Sequence, residues 1–224
     1  MITKFNRILF DYDGTLLIHD TETQCIQMAR ILNVKPELEQ EFSSRLKNFF
    51  NSSFTRQYFK GKRITYDLYY NVLELFMTPI SDFGITAKDI TEAMREKSKY
   101  DAHLAEGAIE TLEYLKAKGY KLCVLTNGFY AGQIENMKYH KVYDYFEQVY
   151  AWDKFYAKPD LRAFYRALGT SKIENNVMIG DDLQNDIVPA KEIGLYTIGI
   201  NIPKDVISQP DKSISKLSEL KNIL

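Results

Sequence analysis

Asp11 and Asp13 stand two residues apart where a short apolar run ends, with Gly14 and Thr15 directly after them. In an extended segment alternate residues point to the same side. Two carboxylates so placed repel each other unless a cation or a proton sits between them. A second acidic group, Gly180-Asp181-Asp182-Leu183-Gln184-Asn185-Asp186, also follows an apolar run and puts three carboxylates within six residues. Acids converging at adjacent strand ends would suit a hard divalent cation. Mg²⁺ takes one or two carboxylates and leaves its other positions to water and substrate phosphate. No His or Cys lies near either group, which argues against zinc. Taken alone, the Asp-x-Asp-Gly turn also fits a solvated turn whose Asp caps the next helix.

Two further signals concern anions. Thr126 and Asn127 end another apolar run, and Gly128 follows. A hydroxyl and exposed N–H groups at a strand–helix junction form a phosphate nest; an ordinary helix N-cap is the competing account. Lys158 precedes Pro159 and Asp160 at a helix start. A lysine there opposes the helix macrodipole unless an anion compensates it, and in isolation a generic surface lysine is the commoner explanation.

These residues need elements to hold them, and the chain supplies an alternating series. Apolar strand-like runs fall at 7–10, 121–125, 148–151, 176–179 and 196–200, with helical segments near 106–118, 130–140, 160–168 and 184–193. Glycines at 119, 169 and 194 suit helix C-termini. The alternation predicts an α/β fold, a Rossmann-like parallel sheet covered by helices on both faces. In such sheets ligands bind beyond the carboxyl ends of the strands, where the acidic and polar groups lie. Between residues 17 and 100 no strand is evident. Helical stretches near 20–32, 37–50, 54–60, 65–77 and 86–98 replace it, with helical spacing in Leu68, Val72, Leu75 and Phe76. This block reads as a small all-helical cap domain inserted beside the acidic turn.

Composition agrees with a folded enzyme or binding domain. The 224 residues are 45% hydrophobic and 26% charged with net charge −1, so no global field draws the chain to nucleic acid or an anionic membrane. No apolar run approaches the roughly 18 residues of a membrane helix. The run Ile8 to Phe10 is too short for a signal peptide. Cys25 and Cys123 lie far apart, outside any metal-ligand spacing. They read as reduced thiols of a cytoplasmic protein.

The order Asp-x-Asp-Gly-Thr, a strand ending in Thr126, Lys158-Pro159 and Gly-Asp-Asp-x-x-x-Asp resembles the haloacid dehalogenase-like (HAD) superfamily over essentially the whole chain. Phosphatases and phosphotransferases of that superfamily carry a second Asp at the position of Asp13, and its dehalogenases do not. The resemblance implies a core of residues 1–16 and 101–224 with a cap at 17–100. It implies a Mg²⁺-dependent phosphatase of a small phosphorylated metabolite, working through an aspartyl-phosphate. Asp11 would be the nucleophile, and Asp13 the general acid and then base, its main-chain carbonyl also ligating Mg²⁺. Asp11 and Asp181 would hold the metal directly. Asp186, alone or together with Asp182, would act through water or in an outer shell, the division between the two being left open. Thr126 and Lys158 would bind the phosphoryl oxygens, with Asn127 adding a contact.

In this superfamily the cap selects the leaving group. Residues 42–66 hold Arg45, Lys47, Arg56, Lys60, Lys62 and Arg63 among seven aromatics, and no Asp or Glu. Aromatics in the cap interior with the cations in water is the favoured account; a surface for a second anion or a base is the other. Leu125 to Phe129 and Tyr145-Phe146 look similar to the branch of pyrimidine nucleotidases and acylneuraminate phosphatases, which puts nucleoside monophosphates beside sugar phosphates as substrates. A sugar-phosphate mutase would use the same core. A receiver-like switch would place its acids before the Thr and Lys, unlike this chain. Monomer and dimer both remain open.

Overall fold

Ile8, Leu9 and Phe10 are all fully buried, which a single strand achieves only in the middle of a sheet covered on both faces. The computed structural model describes residues 5–59, 62, 64–97 and 102–224. Its strands are β1 (Arg7–Phe10), β2 (Leu17–His19), β3 (Ala102–Leu104), β4 (Lys121–Thr126), β5 (Gln148–Ala151), β6 (Asn176–Gly180), β7 (Tyr196–Ile200) and β8 (Lys212–Ile214). Six of them form one parallel sheet in the order β5-β4-β1-β6-β7-β8.

Alternation along the strands sorts side chains between two helical layers. Ile8, Phe10, Leu122, Val124, Val177 and Ile179 face α6 (Ala108–Ala117) and α7 (Tyr130–Tyr139), meeting Leu112, Leu115 and Met137. Leu9, Cys123, Leu125 and Met178 face α8 (Leu161–Leu168) and α9 (Val188–Glu192), meeting Phe164, Leu168 and Ala190. Each fully buried side chain of this size is worth roughly 1.5–3 kcal/mol over its exposed state. Gly119 and Gly194, both at positive φ, follow the ends of α6 and α9.

The helical block comprises α1 (Thr21–Ile31), α2 (Glu39–Asn51), α3 (Ser53–Phe59), α4 (Tyr66–Met77) and α5 (Ala87–Lys97). Cys25, Met28, Phe42, Leu46, Phe49, Val72 and Leu73 make its interior. Leu75, expected on the apolar stripe, is 65% exposed. The buried face of α4 runs through Tyr69, Val72, Leu73 and Met77, and Leu75 falls off its phase. Both cysteines are free and buried.

Two expectations change. The segment read as free of strands begins with β2, which pairs antiparallel with β3 as the stem through which the chain enters and leaves the block. Each strand has only three residues and no alternation, and its partner is 85 positions away, so no local pattern announces it. The helix expected over 184–193 begins only at Val188; one turn of π-helix, Leu183–Ile187, precedes it, capped by Asp182. Among the described residues no helix is long and apolar enough to cross a membrane.

Candidate active site

β1 lies between β4 and β6, so the residues leaving these three strands meet at one edge. Asp11 follows β1 and continues its ladder, its N–H donating to Ile179 O at 2.9 Å. Thr126 ends β4, and Asp181 follows β6. The π-turn then brings Asp186 back beneath them, fully buried. Carboxylate oxygens of Asp11, Asp181 and Asp186 lie within 4.8 Å of one another.

Two glycines make that approach possible. Gly14 has φ +88°, and a Cβ built on it would come 2.3 Å from the Asp181 carboxylate. A Cβ on Gly180 would come equally close to the Asp186 carboxylate. Thr15 then holds Asp181, its hydroxyl donating to Oδ1 at 2.8 Å. Asp182 N–H donates to Asp186 Oδ2 at 3.1 Å.

Lys158 is the counter-charge. Its Nζ donates to Asp11 Oδ1 at 2.7 Å and to Asp186 Oδ1 at 2.6 Å, with the side chain 3% exposed. Burial alone would depress the ammonium's pKa, but Asp11 and Asp186 outweigh it and raise it above the ordinary lysine range. The anion that a lysine at this helix start requires is therefore the acidic cluster itself. Burial, then the charge of Asp11, pushes Asp181 up to about 7. The same two causes carry Asp186 well above the usual carboxylate range. Three acids and one lysine thus leave a surplus of negative charge, which protons or a cation must balance. The donors are all oxygen, a set that suits a hard divalent cation.

Asp13 lies at the cavity edge, about a third of its side chain exposed. Gln133 Nε2 donates to its Oδ2 at 2.5 Å, and the same nitrogen reaches Thr126 Oγ1 at 3.2 Å. Burial raises Asp13's pKa, partly offset by His19 and Gln133, while Asp11 adds to the rise. His19 Nε2 stands 3.8 Å from Asp13 Oδ1, so a histidine does lie beside the first acidic pair. β2 folds it back there. Thr126 Oγ1 accepts from Gly128 N–H at 3.0 Å as well as from Gln133, leaving its own proton to donate. Asn127 is differently placed: its side-chain Nδ2 donates to Lys158 O at 2.9 Å, and its Oδ1 accepts from Lys158 N–H at 2.8 Å. That clamp positions the lysine's backbone, and what Asn127 leaves toward a phosphate is its main chain. Gln133 and His19 had no signal in the motifs, since each acts across the fold from an ordinary helix or strand position; Thr15 stands in the Asp-x-Asp-Gly-Thr turn, but its hold on Asp181 had no local sign.

A cavity of about 520 Å³ opens over these groups, with Asp11, Asp13, Thr126, Lys158 and Asp181 at its floor. α1, α2, α4 and α5 roof it through Gln24, Met28, Phe50, Tyr69 and Met94. Aromatic contacts close its side: Phe129 packs on Trp152 at 4.5 Å between centroids, Tyr69 on Trp152 at 5.2 Å and Tyr66 on Phe129 at 5.2 Å. The basic stretch divides. Phe42, Phe49 and Phe59 are buried in the block, as the favoured account had it, whereas Phe50 and Phe54 are exposed, against it; Arg56 turns to the core and meets Asp182 Oδ2 at 3.4 Å. Lys60 and Arg63 lie outside the described residues.

The family model for haloacid dehalogenase-like hydrolases matches residues 8–200. The chain is 29% identical to a glyceraldehyde 3-phosphate phosphatase of Methanocaldococcus jannaschii over 97% of this chain and 96% of that one. It is 35% identical to a glyceraldehyde 3-phosphate phosphatase of Methanothermobacter thermautotrophicus over 41% of this chain and 42% of that one. Among solved structures it resembles a HAD phosphatase from Thermococcus onnurineus, 27% identical with a TM-score of 0.68, covering 98% of this chain and 97% of the other.

Proposed function

The chain belongs to the haloacid dehalogenase-like hydrolase family, and from that membership we propose that it is a Mg²⁺-dependent phosphatase of a small phosphate monoester. Residues 1–16 and 101–224 serve as the catalytic core in this reading, and 17–100 as the cap over it. The observation that carries it is the convergence of Asp11, Asp181 and Asp186 on the Lys158 ammonium at the carboxyl end of the sheet.

Asp11 attacks the phosphorus atom in line, and the bond to the leaving oxygen breaks. Asp13, whose raised pKa keeps a proton available, protonates that oxygen and leaves as carboxylate. Asp13 then takes a proton from water, which attacks phosphorus and releases inorganic phosphate, restoring Asp11. Lys158 and the Thr126 hydroxyl bind the phosphoryl oxygens as their charge spreads. Asp11, Asp181, Asp186 and the main-chain carbonyl of Asp13 would hold Mg²⁺, Asp186 through water; when bound, the cation cancels repulsion between carboxylate and phosphate.

The named activity of the relatives favours a three-carbon aldehyde phosphate as substrate, ahead of nucleoside monophosphates. Hydrolysis of glyceraldehyde 3-phosphate, phosphoglycolate and a nucleoside monophosphate, each with Mg²⁺ and with EDTA, tests the reading. Release of phosphate that EDTA abolishes supports it. Metal-independent release, or none from any phosphate monoester, overturns it.

A further inference from the structure

Four of the cations in the basic stretch lie among the described residues, and three are turned away from the site. Arg45 binds Glu41 and the carbonyl of Thr78. Lys47 binds Glu22 at 2.7 Å. Lys62 sits over the Tyr58 ring at 3.3 Å. Arg56 alone of the four reaches the core. It lines a second cavity of about 290 Å³, whose far wall includes Lys158 and Asn127 and whose remaining lining includes Phe49, Phe59 and Trp152.

Arg56's hold on Asp182 is replaceable. The contact is long, at 3.4 Å, and about a third of each side chain is exposed. Asp182 has stronger partners of its own: Gln184 N–H at 2.8 Å and Asn185 N–H at 3.0 Å on Oδ1, and Asn185 Nδ2 at 2.7 Å on Oδ2. Releasing Arg56 therefore strands no buried charge. A guanidinium offers five N–H donors in a planar fork, and in an aromatic cavity a ligand oxygen is its natural acceptor.

Building on the phosphatase reading, we infer that Arg56 is a specificity-determining residue, which exchanges Asp182 for a carbonyl, hydroxyl or carboxylate oxygen of the leaving group. The cap then reads its substrate through one arginine, and the rest of the cavity supplies apolar walls.

Steady-state kinetics with glyceraldehyde 3-phosphate, phosphoglycolate and phenyl phosphate, whose leaving group offers no second oxygen, test it. Arg56→Ala should raise KM at least tenfold for the first two, leave kcat within about threefold, and leave phenyl phosphate unchanged. Arg56→Lys should restore part of the loss. Equal effects on all three substrates, or none on any, would overturn the inference while leaving the phosphatase reading intact. Failure of the wild-type enzyme to turn over any of the three would overturn the inference, and failure on a nucleoside monophosphate as well would overturn both.

Discussion

Lys158 Nζ lies 2.7 Å from Asp11 Oδ1 across 147 positions of chain, and the same ammonium binds Asp186 at 2.6 Å. All three groups are almost wholly buried, so the lysine's removal leaves carboxylates facing one another with no counter-charge. Breaking one side of such a buried arrangement costs about 3–5 kcal/mol.

Lys158→Met should lower metal-free stability by that order at pH 8 and by clearly less at pH 5. The sign follows from Asp186, whose pKa burial and Asp11 already raise. An acid with a raised folded pKa penalises the fold above its unfolded value, and the penalty disappears as falling pH protonates it. Urea unfolding of wild type and variant at the two pH values measures this; an equal loss at both would contradict it. Turnover should fall at least about a hundredfold, some 2.7 kcal/mol of barrier.

Asp11→Asn removes the nucleophile and one negative charge from the crowded end of the sheet. Turnover of an aryl phosphate should vanish. Metal-free thermal stability should fall less than in Lys158→Met, because losing the charge of Asp11 weakens one partner of Lys158 but relieves Asp181 and Asp186, whose ionisation it opposes. Substantial metal-dependent activity in a well-folded variant would strip Asp11 of its role.

What could be read from the residues follows a physical division. Asp11, Thr126 and Asp181 are polar residues directly after apolar strands, and a parallel sheet brings consecutive strand ends to one side. Their meeting thus follows from local pattern plus topology. Gln133 carries no such mark. It lies one turn into α7 and meets Asp13 across 120 positions, so only the packed fold discloses it. The β2–β3 stem is similar, each strand being stabilised by its distant partner. Arg56 was visible as one cation in a basic run, but which cation faces the core depends on helix phase and on the tilt of the block. Leu75 shows the same limit, since Val72 and Leu73 set the buried face of α4 and a residue two positions on falls outside it.

Mg²⁺ binding should be strongly pH-dependent. Asp181, held up at about 7, carries a proton below that pH which a cation must displace. Affinity should therefore fall up to about tenfold per unit as pH drops below 7. Above pH 7 the ionised form penalises the metal-free fold, so added Mg²⁺ should raise the melting temperature more at pH 8 than at pH 6. Differential scanning fluorimetry at the two pH values checks this, and identical upshifts would count against Asp181 as a ligand.

Gly14→Ala should weaken metal binding without touching a catalytic group. The residue has φ +88°, and the added methyl would collide with the Asp181 carboxylate. Strain at a left-handed position costs about 1–3 kcal/mol, and Asp181 must move as well. Calorimetric titration should show at least tenfold weaker Mg²⁺ affinity, recovered in part at high metal concentration. Unchanged affinity would mean that Asp181 does not need its present position.

Gln133→Leu isolates the control of Asp13. The glutamine's donor stabilises the ionised form of a carboxylate whose pKa burial otherwise raises, so its loss should keep Asp13 protonated to higher pH. The first chemical step, which begins with protonated Asp13, gains or holds. The second step, in which Asp13 must accept a proton from water, is slowed at acidic pH. The acid limb of kcat should accordingly move to higher pH. On that acid limb the aspartyl-phosphate should accumulate, visible as a burst of leaving group before steady-state phosphate release. The same amide also orients the Thr126 hydroxyl, so a modest rise in KM should accompany the shift at every pH. A uniform fall in kcat with no displacement of the acid limb would instead make Gln133 a packing residue and leave Asp13 governed by burial and its charged neighbours alone.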